Sequence, residues 1–265
     1  MKYTKQQILN KMKKSLYIIS LLVVTLGFSQ TTSFKNGEHL KYKLSYSNFL
    51  TAGYATMNIK KAKYNSKEVF HIVGKGKTTG MINWFFKVRD NYETFIDKKT
   101  LLPYKFIRQI DEGGYKKDRE IIFNQKDNEA VVFDKKTKKV KSFKTQKGVQ
   151  DLLSTLYYMR NKDITNFKVG DEISLPIFLD NEIMNMKLRF LGRETIKTNL
   201  GEIKAVKFMP LVASGRIFKE QESVTVWVSD DLNKIPLRIK ASLSVGSLRA
   251  DLKSYKNLKN PIKFK

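Results

Sequence analysis

Glu38-His39-Leu40-Lys41-Tyr42-Lys43-Leu44-Ser45-Tyr46-Ser47 is the stretch that decides the architecture. Leu40, Tyr42, Leu44 and Tyr46 alternate with Lys41, Lys43, Ser45 and Ser47, a period of two that puts one side of a strand in a core and the other in water. The same pattern returns at 55–62, 69–75, 90–96, 103–110, 117–123 and 130–133. Asn65-Ser66, Gly113-Gly114 and Lys126-Asp127-Asn128 supply turn chemistry between these runs. Further strands are expected at 172–179, 184–191, 203–211, 223–228, 236–243 and 248–254. The reading is an all-β fold, a curved antiparallel β-roll or incomplete barrel.

One segment departs from this period. Val149, Leu152, Leu153, Leu156, Tyr157 and Arg160 recur at helical spacing, which predicts a single substantial helix over 149–161 packed on the sheet. The stretch 256–265 is basic and aperiodic and reads as a frayed tail.

Upstream, Lys11, Lys13 and Lys14 precede an apolar run from Leu16 to Leu26, followed by Gly27-Phe28-Ser29-Gln30. A basic region, a short apolar region and a small-polar zone form a cleavable export leader over 1–30, and the run is shorter than the roughly 20 residues of a spanning helix. The expected location is the periplasm or outer envelope, with one β-rich domain of two related halves over 31–255 and the basic tail at 256–265. The chain has no cysteine. It therefore has no disulfide, no thiol chemistry, no cysteine-held metal and no lipidated thiol, and apolar burial must carry its stability. Of the formal +26 charge, the five lysines of 1–30 take five, leaving +21. A field of this sign attracts polyanions, and outside the cytoplasm those are phosphorylated lipid headgroups or anionic envelope polymers rather than nucleic acid.

An internal echo links two parts of the chain. Asp97 to Phe106 and Asp230 to Ile239 share an Asp, an apolar residue before a Pro and apolar alternation after it. Each reads as a hairpin whose turn Asp bonds its own backbone and whose return strand begins at a Pro that needs no ladder donor. With Gly37-Glu38-His39-Leu40-Lys41-Tyr42, Val169-Gly170-Asp171 and Gly201-Glu202-Ile203-Lys204-Ala205-Val206-Lys207, these hairpins make the chain resemble the bacterial exported domain-of-unknown-function family 3108. The resemblance implies a β-rich roll and assigns no activity. The Asp-to-Pro hairpin is also similar to that of periplasmic lipoprotein carriers, whose curved sheets cradle acyl chains under a helical lid.

Candidate chemistry is sparse. Gly74-Lys75-Gly76-Lys77-Thr78-Thr79-Gly80 ends like a phosphate loop, but His71 stands where the first glycine is required, so the segment reads as a strand end. His39 and His71 are the only histidines and sit in neither metal-ligand nor catalytic spacing. Ser154 and Ser214 lack the strained turn that exposes a nucleophile. Asp111-Glu112 and Asp230-Asp231 read as turn caps. No catalytic, cofactor-binding or metal-ligating residue is assigned. The distinctive feature is Trp84-Phe85-Phe86, flanked by Lys87 and Arg89. These aromatics, with Leu152, Leu156 and Tyr157 of the helix, are candidates to line an apolar cavity or touch a bilayer, and Lys87 and Arg89 are candidates for its headgroups.

The expected function is a non-enzymatic envelope protein that binds a lipid, another amphiphile or an anionic envelope polymer, with peripheral membrane contact. An assembly protein that pairs with an envelope partner is the alternative, and a hydrolase using scattered acids a weaker one. No cofactor is expected, and the sequence leaves the oligomeric state open.

Overall fold

The computed structural model describes residues 32–47, 50–212 and 224–265; the leader expected at 1–30, Ser214 and the first residue of the strand expected at 223–228 lie outside the described residues. The first half of the described chain contributes β1 (His39–Tyr46), β2 (Leu50–Tyr64), β3 (Lys67–Thr78), β4 (Arg89–Asp97), β5 (Pro103–Glu112), β6 (Tyr115–Asn124), β7 (Glu129–Asp134) and β8 (Lys139–Lys144). The second contributes β9 (Glu172–Leu179), β10 (Glu182–Thr198), β11 (Gly201–Val212), β12 (Val224–Ser229), β13 (Pro236–Ser242) and β14 (Ser247–Lys256). All fourteen join one sheet in the order β8-β7-β6-β5-β4-β3-β2-β1-β14-β13-β12-β11-β10-β9. Every neighbour is the next strand in the chain, except that β1 pairs antiparallel with both β2 and β14 and so brings the first and last strands together in mid-sheet.

The edge strands β8 and β9 do not pair with each other, and the gap is spanned by other means. Gln150 runs beside β9, donating its N–H to Pro176 O at 2.9 Å and accepting from Phe178 N at 2.8 Å. The Phe178 ring enters a cluster of Phe106, Ile121, Phe123, Ala130 and Val132 from β5, β6 and β7. It meets Phe123 edge-on at a ring separation of 6.2 Å and Phe143 of β8 at 5.5 Å in a tilted arrangement. Side chains and the Gln150 bridge thus draw the two ends of the sheet together although β8 and β9 do not pair, which is the incomplete barrel the alternation predicts.

Both echoed hairpins close with the same device. Asp97 Oδ1 accepts from Lys99 N and Thr100 N, and Asp231 Oδ1 accepts from Asn233 N and Lys234 N. In each, a register shift just precedes the apolar residue set against the proline, Ile96 opposite Pro103 and Val228 opposite Pro236.

Among the described residues two helices accompany the sheet: α1 (Gly80–Phe85) between β3 and β4, and α2 (Leu152–Met159) between β8 and β9. The second is the expected helix, shorter than 149–161 because Val149 and Gln150 are spent extended against β9. Asp151 starts it with a capping box, accepting from Leu153 N and Ser154 N while Ser154 Oγ accepts from Asp151 N. Thr94 Oγ1 also donates to Asp151 Oδ2 at 2.5 Å. Burial nevertheless pushes the Asp151 carboxyl up to about 6, outweighing these hydrogen bonds.

The helix ends at Arg160, whose guanidinium is buried and grips Glu38 bidentately, Nη1 to Oε1 at 2.6 Å and Nη2 to Oε2 at 2.9 Å. Its Nε donates to Asn233 O at 3.0 Å, and the rings of Phe34 and Tyr157 flank it. One group thereby ties together the N-terminal entry, α2 and the β12–β13 turn.

The stretch 256–265, expected to fray, is irregular but packed. Leu258, Ile262 and Phe264 lie on the core of Leu40, Tyr42, Ile203, Leu237 and Leu252, and Lys265 exchanges backbone hydrogen bonds with Glu202 at 2.8 and 2.9 Å. Its apolar residues outweigh its charge because they reach the sheet end that β10 and β11 leave open.

Candidate functional site

The ends of the roll differ. The strand termini near the β2–β3, β4–β5 and β12–β13 turns surround α2, and we call this the helix end. The opposite termini carry the β3–β4 connection and the β5–β6 and β9–β10 turns, and we call this the open end.

At the open end, α1 has no buried residue. Trp84 is 83% and Phe85 85% exposed, and Met81 and Tyr115 are exposed beside them. Phe86 anchors the connection: its N donates to Ile82 O at 2.8 Å and its ring lies where a side chain on Gly113 would stand, 2.5 Å from that Cβ position. Gly113 has φ +58° and donates its N–H to Lys87 O at 2.8 Å, so the β5–β6 turn holds the end of α1 from below. The aromatic display is therefore fixed in place while its two largest faces meet solvent.

Beside α1, register arranges cations in rows. Inward positions of β3 are Phe70, Ile72, Gly74 and Gly76, since the first two join the core and a Cβ on Gly74 would touch Leu153 of α2 at 3.2 Å. Lys75 and Lys77 accordingly face out. Cross-strand partners place Lys43, Tyr54, Lys77 and Arg89 in one outward row and Lys41, Thr56, Lys75 and Asn91 in the next. Lys77 and Arg89 are direct like-charge neighbours, an arrangement that costs stability unless something negative meets it. A groove of about 660 Å³ runs over these rows, and Thr79, the residue that precedes α1, lines it too.

On the inner side of the same end, Asp90 is pushed up to about 6 by burial and then by the charge of Glu112, with which it shares a hydrogen bond. Asp180, in the β9–β10 turn, receives Arg108 Nη1 and Lys117 Nζ at 2.6 Å each and so latches that turn to β5 and β6. Burial opposes its ionisation, but these two cations hold its carboxyl below the usual range. Among the described residues no three His, Asp or Glu side chains gather as a metal site.

The structure does not bring the predicted site residues together. Trp84, Phe85, Phe86 and Lys87 belong to the open end, with Arg89 at the start of β4. Leu152 is exposed at the start of α2, whereas Tyr157 is fully buried and Leu156 packs on Phe34, Ile59, Phe70, Ile72 and Ile96 toward the helix end. His39 and His71 are strand residues bound to Asn58 and Glu93 at 2.6 and 2.7 Å. Of the acid pairs, Asp231 caps its turn and Asp230 meets Arg193, while Asp111 faces Lys116 and Glu112 turns inward to Asp90. The Gly74–Gly80 segment is strand through Thr78 rather than a phosphate loop. Sequence reasoning missed α1 and the outward rows, whose only linear signal is the i, i+2 spacing of Lys41 with Lys43 and Lys75 with Lys77.

An open antiparallel roll, filled by a helix at one end and bearing aromatics and cations at the other, defines a class by its architecture and not by a reaction. The chain belongs to the family described as "Protein of unknown function (DUF3108)", whose model matches residues 41–253. No curated protein matches it. Among solved structures, it is similar to a β-barrel-like protein of domain of unknown function DUF1849 from Brucella abortus, at 11% identity and TM-score 0.57 over 86% of this chain and 100% of that one. A candidate lipoprotein from Parabacteroides distasonis matches at 13% identity and TM-score 0.36, covering 85% of this chain and 100% of that one. A candidate exported protein with a YmcC-like fold from Bacteroides fragilis gives 10% identity and TM-score 0.31, with the same coverage. The first of these likenesses concerns the fold alone.

Proposed function

We propose that the protein is an exported, non-enzymatic envelope factor that associates with an amphiphilic surface, the bilayer, through its open end. The observation that carries this reading is the exposure of Trp84 and Phe85 on an α1 whose base is anchored by Phe86 and Gly113. Fixed aromatics that a globular interior does not use suit the interfacial zone of a membrane, where an apolar ring and nearby cations are both accommodated. Lys87 and Arg89 flank them, the leader pattern directs the chain out of the cytoplasm, and the +21 charge beyond residue 30 favours anionic surfaces. The inner face toward the helix end is occupied by the protein's own side chains, which favours surface association over enclosure of a whole acyl chain.

Flotation with phosphatidylcholine and phosphatidylglycerol vesicles tests this. Trp84→Ser with Phe85→Ser is expected to weaken vesicle association about tenfold or more, since each fully buried aromatic contributes on the order of 2 kcal/mol. Stability should change by less than about 0.5 kcal/mol. Unchanged association together with a large stability loss assigns the two rings to packing and refutes the reading.

A further inference from the structure

We propose that the groove over the outer face of β1–β4 is a headgroup site, taking a phosphate-bearing lipid headgroup of the same bilayer that α1 enters. The inference rests on that membrane reading and adds to it a second contact, with a different chemistry and its own residues.

The cations are presented by register rather than by chance proximity. Two adjacent rows on one face, about 5 Å apart from strand to strand, carry Lys41, Lys43, Lys75, Lys77 and Arg89. Tyr54 lies among them with Lys41 Nζ 5.2 Å and Lys253 Nζ 5.0 Å from its ring centre. Lys253 sits where the β1–β14 register shifts, between the partners of Lys41 and Tyr42. The Tyr54 ring attracts two ammoniums, and with the directly opposed Lys77 and Arg89 beside them they form a concentration of like charge that a bound anion would relieve.

Other basic regions of the outer face are neutralised locally. Lys105 and Lys135 bind Glu120, and Arg238 binds Asp251. The neighbouring groove over β4–β6 shares Arg89 and Asn91 but contains Asp111 and Asp118. Among the described residues, Lys41, Lys77 and Arg89 make no ion pair of this kind, and the single acid lining their groove, Asp90, is engaged with Glu112 on the inner side. Lys43 stands opposite Asp251 and Lys75 helps lower the Glu93 carboxyl, so the electrostatically open part of this face is the stretch of Lys41, Lys77 and Arg89 along the groove.

Position selects the occupant. Thr79 lines the groove and immediately precedes α1, and Arg89 follows the α1 segment, so the groove opens onto the plane that Trp84 and Phe85 would enter. An ammonium at the end of a flexible stem meets a phosphate as a point charge and needs no fixed hydrogen-bond fork, which suits a headgroup that remains mobile in its bilayer. The Gly-Lys-Gly-Lys-Thr-Thr segment therefore meets phosphate as an outward strand surface, in place of a loop wrapped round it.

Full-length mature protein is compared on vesicles of pure phosphatidylcholine and of phosphatidylcholine with about 30 mol% phosphatidylglycerol, at low and high salt. Wild type is expected to bind both and to prefer the anionic vesicles at low salt. Lys41→Gln, Lys75→Gln, Lys77→Gln and Arg89→Gln combined should keep neutral-vesicle binding, lose about tenfold or more of the anionic preference and flatten its salt dependence. A charge-matched control, Lys138→Gln, Lys139→Gln, Lys141→Gln and Lys144→Gln at the β8 edge, should leave most of the preference in place. The headgroup site is overturned if the groove variant keeps the full anionic preference, or if the β8 control loses as much. Absence of binding to neutral vesicles by the wild type instead removes the α1 reading, so the two failures are told apart.

Discussion

The helix end and the open end each hold an aspartate pushed up to about 6, and they hold it for different purposes. Asp151 is enclosed among the backbone donors of α2 and Thr94, so its proton is linked to whether the core is intact. Asp90 is raised also by Glu112, at the rim beneath a display of exposed aromatics. The same contrast runs through the other charges. Arg160 and Glu38 are buried and matched atom for atom, while Lys77 and Arg89 are exposed and opposed. One end has its local conflicts resolved internally, and the other keeps conflicts that an outside partner would resolve, the pattern expected where binding surfaces ride on a rigid scaffold.

The contrast breaks most readily at Arg160. Arg160→Ala leaves Glu38 as an uncompensated buried charge, and the expected loss is about 3–5 kcal/mol, read from the urea midpoint. Replacing both partners with apolar residues, Arg160→Met with Glu38→Leu, should recover much of that loss, because the cost lies in the orphaned charge. A loss below about 1 kcal/mol in the single variant would show that water reaches the helix end, and its distinction from the open end would disappear.

A smaller effect is expected at Asp151. Its carboxyl titrates near 6 in the fold against 3.8 ordinarily, so the folded state holds the proton more tightly. That contribution is fully present below about pH 4 and is lost as pH rises through 6, an order of 3 kcal/mol at about 1.4 kcal/mol per unit. Asp151→Asn keeps a cap acceptor and removes the titration. The variant should match wild type near pH 4 and exceed it near pH 7.5 in thermal unfolding. A pH-independent difference would mean that the capping hydrogen bonds, and not burial, govern this carboxyl.

Which of these features a reader of the sequence can see follows from their range. Alternation is local, so thirteen of the strands and the turns around Asn65-Ser66 and Gly113-Gly114 are legible within about ten residues, and the capped helix almost as directly; β8 is not, because Val140 and Phe143, its two apolar residues, fall out of alternation among lysines. The Glu38–Arg160 pair is not, since 122 positions separate two residues that look like ordinary surface charges. The α1 segment is six residues long, too short for helical periodicity to declare itself. Trp84-Phe85-Phe86 stands out in the sequence, yet only the fold shows that Phe86, itself 52% exposed, lays its ring on Gly113 while its two predecessors are more exposed still. Lys75 and Lys77 can be assigned to an outward face from alternation alone, but their alignment with Tyr54 and Arg89 requires the strand register. The stretch 256–265 reads as a frayed tail because charge dominates its composition, although Leu258, Ile262 and Phe264 are the visible sign of docking.

The boundary between the two ends can be located along a single strand. Gly74 and Gly76 are two residues apart on the inner face of β3, and an added Cβ would lie 3.2 Å from Leu153 Cδ2 at the first and meet nothing within 4 Å at the second. Gly74→Ala must push the Leu153 Cδ2 methyl aside by a few tenths of an ångström against α2, an overpacking expected to cost on the order of 1 kcal/mol. Gly76→Ala has space and reduces the freedom of the unfolded chain, so it should stabilise by roughly 0.5 kcal/mol. Opposite signs in the melting temperatures of the two variants would place the limit of the filled interior between these residues, on the open-end side of Leu153. Equal losses would move that limit outward to the α1 rim and leave only the outer groove and the exposed aromatics as surfaces for a ligand.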